Sequence, residues 1–200
     1  MMKKLLLLTL ALVMAMSMSA KKKYITLQSG DVQVLNQPGK TALYEFDYSK
    51  TICEGKPLEQ YLKDRGEENV RDWPGECIET QDNYFMPRWN DESKMNISLI
   101  KEGKADYKIV VHVTDLDLGS TAAAMFIPSF SRKTGACEVS ATVDVIDLSN
   151  NQTVCVLNVN KLRGVNMRAF EVASSETRRR GLTYKKMAQL ICEFAQESNK

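Results

Sequence analysis

The chain holds one histidine, five cysteines and several carboxylate pairs, and these set the bounds on what chemistry it can run. With His112 alone, metal cages built on several imidazoles and any mechanism needing two imidazoles are excluded. His112 falls in the middle of a β-branched run, on the face opposite Ile109 and Val111, where an ordinary sheet-surface histidine is expected. The alternative is a small secreted hydrolase in which His112 acts as base beside Asp115 or Asp117, two carboxylates at the end of the same run. The Asp115-Leu116-Asp117-Leu118-Gly119 stretch lacks the third oxygen ligand, the placed glycine and the closing glutamate of a calcium loop, so no metal is assigned to it. Asp144 and Asp147 have opposite strand parity and cannot form a carboxylate dyad. Neither a GxSxG elbow nor a cysteine-protease signature is present. GxxxxGK[ST] and GxGxxG are also missing, and no cofactor is expected. Cys53, Cys77, Cys137, Cys155 and Cys192 are odd in number, lack any CxxC, and match no zinc module. Cys53 and Cys77, in loop-like sequence, are the one pair set for a disulfide; the others read as small buried hydrophobes. Asn96-Ile97-Ser98 and Asn151-Gln152-Thr153 match a glycosylation acceptor, which matters only in a host that modifies it.

Two further sets of residues could bind rather than react. Arg178, Arg179 and Arg180 sit in a stretch from 161 to 186 where eight basic residues face two acidic ones. With Lys185 and Lys186 they could receive phosphate, sulfate or an anionic glycan, but three consecutive helical residues spread over most of the helix circumference, so most of these guanidinium groups are expected in solvent. The other set is Met125, Phe126, Ile127 and Phe130, in a connection from Gly119 to Gly135 that is longer than a hairpin needs. Apolar loops of this length either carry function or tuck beneath the fold, and Pro128 forbids a regular central strand there.

The elements that must position these residues follow from periodicity. Tyr24 to Leu35 reads as a short strand pair turning at Ser29-Gly30-Asp31, and Thr41 to Tyr48 alternates as a strand. Pro57, Leu58, Tyr61 and Leu62 mark a short helix that Gly66 stops. Residues 67 to 92 show no sustained period and read as an irregular segment anchored by Trp73 and Trp89, followed by a helical piece from Asn90 to Glu102. Tyr107, Ile109, Val111 and Val113 give the strongest strand. Residues 137–162 form a hairpin with Cys155, Leu157 and Val159 inward. Thr177, Gly181, Tyr184, Ala188, Ile191 and Ala195 step at helical spacing, predicting one helix from about Ser175 to Gln196 with Gly181 on its inner face, a position that implies close approach or a break. The fold class expected is α+β: a mainly antiparallel sheet with helices packed on one face, in a single domain.

Residues 1–20 read as a secretory signal peptide, with Lys3 and Lys4 before the apolar stretch Leu5 to Met16 and small residues at Ser17 to Ala20. Residues 21–200 would then be the mature domain, exported and periplasmic or secreted, with no transmembrane segment. The full chain carries 27 basic and 25 acidic residues. Removing the leader leaves the two signs balanced, which gives no basic surface for nucleic acid.

The strand DYKIVVHVTDLDLG, the insertion AAAMFIPSF, the hairpin CEVSATVDVIDLSNNQTVCVLNV and the helix opening at SETRRRGLTYKKMAQLI together resemble small exported cell-envelope proteins of Gram-negative bacteria. Over roughly residues 100–197 the pattern is similar to the periplasmic domain of the curli secretion channel and to lipoprotein activators of cell-wall synthases. The resemblance implies a non-catalytic module that docks on an envelope protein or self-associates, in possible association with the outer membrane. Two departures limit it: the insertion is short and broken by Pro128, unlike a membrane-crossing hairpin, and no lipid-acceptor cysteine follows the leader.

Overall fold

The computed structural model describes residues 24–119, 136–164 and 175–198. The elements run β1 (Ile25–Gly30), a 3-10 turn (Val32–Asn36), β2 (Thr41–Asp47), β3 (Ile52–Cys53), β4 (Lys56–Pro57), α1 (Leu58–Asp64), α2 (Glu67–Thr80), a π-helical turn (Gln81–Phe85), α3 (Met86–Glu92), β5 (Ser98–Ile100), β6 (Tyr107–Asp117), β7 (Glu138–Asp147), β8 (Gln152–Arg163) and α4 (Glu176–Glu197). The class is the α+β single domain expected. Its main sheet has the order β1-β8-β7-β6-β2-β5. The four strands from β1 to β6 are antiparallel, as read, but β2 runs parallel to both β6 and β5.

Alternation puts one side chain in two against the helices. Ala42 and Phe46, Ile109, Val111 and Val113, Val139, Val143 and Val145, and Cys155, Leu157 and Val159 are all buried on that inner face. Their partners across the backbone, including Lys108, His112, Asp144 and Asp47, populate the outer face.

Three local readings change. The segment after Gly30 forms a 3-10 turn rather than a second strand, because Asp31 Oδ1 accepts from the Gln33 amide and caps a turn that buries Val32, Val34 and Leu35. Residues 67–92 are almost wholly helical. Their inward stripe of Trp73, Cys77, Thr80, Phe85 and Trp89 is spaced 4, 3, 5 and 4, and the step of five coincides with the π-helical turn, which inserts a residue and hides the period. The expected helix over Asn90 to Glu102 ends instead at Glu92. Lys94 and Met95 take positive φ, and the chain enters β5, whose edge is covered by an amide: Asn90 Oδ1 accepts from Leu99 N at 2.7 Å and its Nδ2 donates to Leu99 O at 3.0 Å.

The inner-face glycine expected in the C-terminal helix marks close approach, not a break. α4 is continuous, capped by Ser175 Oγ accepting from Arg178 N, and a Cβ placed on Gly181 would lie 2.6 Å from the Tyr84 ring. α4 is therefore covered on two sides, by the sheet and by the α2–α3 layer.

Candidate functional site

Cross-strand pairing locates the most unusual connection in the molecule. Asp117 and Glu138 are direct partners, so residues 118–137 are an insertion at a hairpin tip that two residues could close. Met125, Phe126, Ile127 and Phe130 lie within it, outside the described residues. Both of its roots are described, and both are held by α4.

Arg179, Thr183 and Lys186 share one helix face at i, i+4 and i+7. Arg179 is 2% exposed. Its Nε donates to the Leu118 carbonyl at 3.0 Å and Nη2 to the Gly119 carbonyl at 3.2 Å, so its fork grips the first root. Across the gap, Thr183 Oγ1 lies 3.1 Å from the Cys137 carbonyl, an acceptor shared with Gly164 N at 2.9 Å. Lys186 Nζ donates to the Arg163 carbonyl at 2.7 Å, and burial lowers its pKa. One helix face thus ties the end of β6, the start of β7 and the end of β8 together. Glu176, which opens α4, is gripped in turn by both Arg65 terminal nitrogens, at 2.7 and 2.9 Å.

Arg180 points to the other covered side. It is 1% exposed, stacks on the Trp73 indole with its guanidinium carbon 4.0 Å from the ring centre, and approaches Glu76 Oε2 at 3.2 Å, while among the described residues Nε has no hydrogen-bond partner. Beside it the Tyr48 and Tyr184 hydroxyls meet at 3.0 Å, and burial raises both phenol pKa values. The expectation of a mostly solvated arginine run is thereby corrected: Arg178 is exposed, but Arg179 and Arg180 are buried. Two neighbours a helical step of 100° apart can both be inside when the helix is covered on two sides, and the second cover, α2–α3, is the one read as irregular. These two guanidinium groups are engaged within the fold and offer no anion surface.

His112 lies on the outer face, its side chain 38% exposed, as a sheet-surface histidine should. Its carboxylate partners are not the adjacent Asp115 and Asp117 but Asp47, at 2.9 Å from Nδ1, and Asp144, at 3.6 Å from Nε2. β2, β6 and β7 are neighbouring strands, and the register sets Asp47 beside His112. The Asp47 carboxyl is held down at about 2, chiefly by the Ser49 backbone N–H and then by the Ser49 and His112 side chains. Asp117 is occupied elsewhere, accepting from Gly119 N. Asp144 faces His112 whereas Asp147 turns to accept from Ser149 N, as opposite parity requires.

All five cysteines are buried free thiols, so the Cys53–Cys77 disulfide is not formed. Cys53 sits in β3 and Cys77 on α2, each facing the core. Burial raises their pKa values, to about 12 for Cys53 and Cys137 and about 11 for Cys155. Among the described residues, no group of three or more His, Cys, Asp or Glu side chains is placed to hold a metal, and no helix is long and apolar enough to cross a membrane. An open groove of about 480 Å³ runs beside Trp73 and Tyr48, floored by Leu58, Leu62 and Ile52.

No family model matches the sequence, and no curated protein matches it. Among solved structures, the chain is similar to the PelC dodecamer from Paraburkholderia phytofirmans, with 13% identity over 83% of this chain and 96% of that one and a TM-score of 0.38. A variant of the same dodecamer gives 16% identity over 83% and 95%, with a TM-score of 0.37. A DUF330-family protein from Xanthomonas campestris gives 10% identity over 86% and 93%, with a TM-score of 0.34. Scores below 0.5 leave these as partial likenesses that carry no weight for what this chain does.

Proposed function

We propose that the chain is an exported, non-catalytic binding or assembly module of the cell envelope, and that Met125, Phe126, Ile127 and Phe130 form its contact surface. The observation that supports this is the double anchoring of the insertion: Arg179 grips Leu118 and Gly119, and Thr183 meets Cys137. Burying a guanidinium costs several kcal/mol of hydration, and here its donors are directed at the carbonyls where the insertion leaves the sheet. A rigid frame beneath an apolar insertion is how binding loops are commonly presented. In this reading residues 1–20 are the signal peptide, removed to give a mature chain starting near residue 21. The resemblance to envelope modules supports the same role, with a protein partner or a second copy as occupant.

A photo-crosslinking amino acid at Phe126 or Phe130, in the envelope of a producing cell, should give discrete adducts that the same probe at exposed Arg71 does not. Equal labelling from both positions, or none from either, would refute the contact surface. Intact mass of the exported protein tests the leader: loss of residues 1–19 or 1–20 is expected, and a full-length mass would refute export by cleavage.

For the alternative of a hydrolase using His112 with a nearby carboxylate, the carboxylates in reach are Asp47 and Asp144 rather than Asp115 or Asp117. The anion-binding alternative loses Arg179 and Arg180 to the interior.

A further inference from the structure

The two edges of the main sheet are treated differently. The β5 edge is closed by the Asn90 side-chain amide, which satisfies both the N–H and the C=O of Leu99. At the other edge β1 has β8 on one side, and among the described residues no strand pairs with its outer side. Asn160 N donates to Tyr24 O, and Thr26 pairs with Asn158 in the same phase. The backbone groups of Tyr24 and Thr26 therefore point at β8, and those of Ile25 and Leu27 point away from it. The strand from Thr26 to Gly30 is exposed, Leu27 is 43% exposed, and β1 carries no charge or proline to deter pairing.

We infer that β1 is the docking edge for β1 of a second copy, paired antiparallel about a two-fold axis at Thr26. Register and charge both select this occupant. With Thr26 opposite its own copy, Ile25 of one chain faces Leu27 of the other, and the outward N–H and C=O groups of both residues are exchanged in two hydrogen-bonded pairs. The axis is perpendicular to the sheet, so both helix layers stay on one side, and exposed Leu27 comes to lie at the junction. The outer-face row Asp47, His112, Thr142, Asn158, Thr26 continues across the junction into the same row reversed. Exposed Asp31 follows β1 and a run of three lysines, 21–23, precedes it in sequence. Antiparallel pairing sets acidic end beside basic end, whereas parallel pairing would set lysines against lysines. This inference is independent of the role proposed for the insertion, and neither fails with the other.

The test uses the mature chain, residues 21–200. Because all five native thiols are buried, Thr26→Cys adds a single exposed one. Opposed residues in a non-hydrogen-bonded pair have Cα atoms about 4.5 Å apart, inside the disulfide range. Under mild oxidation T26C should give a covalent dimer, whereas Gln28→Cys, whose copies would stand about 13 Å apart at roughly 3.3 Å per residue, should not. In sedimentation of the unlinked protein, Thr26→Lys should weaken the dimer about tenfold or more by placing like charges directly opposite, and an equimolar mixture with Thr26→Glu should restore it. A wild-type monomer throughout a range of about 1 to 500 μM, equal cross-linking of T26C and Q28C, or an assembly unchanged by T26K would each overturn the inference.

Discussion

Replacing Arg179 tests whether the root of the insertion is held as described. Its side chain is 1% exposed, with hydrogen bonds to two backbone carbonyls at 3.0 and 3.2 Å and Glu176 Oε1 at 4.0 Å. Hydrogen bonds from a charged donor are worth about 1.5–3 kcal/mol each, and removing the donor leaves the Leu118 carbonyl among buried side chains. Against this stands the relief of no longer burying a cation, which is several kcal/mol before its compensation. Arg179→Ala forfeits the bonds and opens a cavity, so about 3–5 kcal/mol of stability should be lost. Arg179→Met fills most of the volume and regains the desolvation cost, so its loss should be smaller, about 1–3 kcal/mol. Arg178→Ala, one residue earlier and exposed, should stay within about 0.5 kcal/mol of wild type. Urea unfolding followed by circular dichroism reads these as midpoint shifts at constant slope. If Arg179→Ala cost no more than Arg178→Ala, Arg179 would not be a buried anchor and the argument for the insertion's frame would fall.

Other outcomes follow from single contacts. Gly181→Ala should destabilise by about 1–3 kcal/mol despite a helix-propensity gain of about 1, because the added methyl meets the Tyr84 ring at 2.6 Å; in a Tyr84→Ala background the same change should become neutral or stabilising, and a uniform stabilisation would contradict the close approach. The Asp47 carboxyl is depressed from 3.8 to about 2, so its contribution is complete above about pH 4 and is lost as pH falls toward 2; Asp47→Asn should be less stable at pH 7 and show a shallower fall in urea midpoint between pH 4 and 2, and parallel curves would refute this. A thiol reagent at pH 8 should find no fast-reacting cysteine in the native protein and five in denaturant, with a mass showing no disulfide; a native disulfide or an immediately labelled thiol would contradict the buried thiols.

Much of the frame was legible in sequence because its period was uninterrupted. Tyr107 to Val113 has Tyr107, Ile109, Val111 and Val113 buried on one face, with Val110 buried on the other as well; the hairpin through Val139 and Leu157 alternates, and the α4 stripe ran at constant helical spacing through Gly181. What stayed hidden depended on a break in period or on distant partners. The π-helical turn shifts the phase between Thr80 and Phe85, which made α2 and α3 look irregular, and that loss removed the layer that buries Arg180. β5 is three residues long and parallel to a strand more than fifty residues earlier, so nothing local announces it. His112 was placed on the correct face, but Asp47 and Asp144 come from neighbouring strands and were not recognised as its partners. Thr183 was also missed, and Lys186 was read as an anion receiver rather than as a donor to the Arg163 carbonyl. Their only signal is the polar spacing 179, 183, 186 inside an otherwise apolar helix face.

The most direct measurement is the unfolding free energy of a variant with Met125, Phe126, Ile127 and Phe130 all changed to Ser, compared with wild type. A contact surface standing on a self-sufficient frame predicts a loss under about 1 kcal/mol, together with disappearance of the adducts formed through neighbouring positions of the insertion. Four side chains serving as core would each contribute about 1.5–3 kcal/mol, so a loss of about 6 kcal/mol or more would contradict the account.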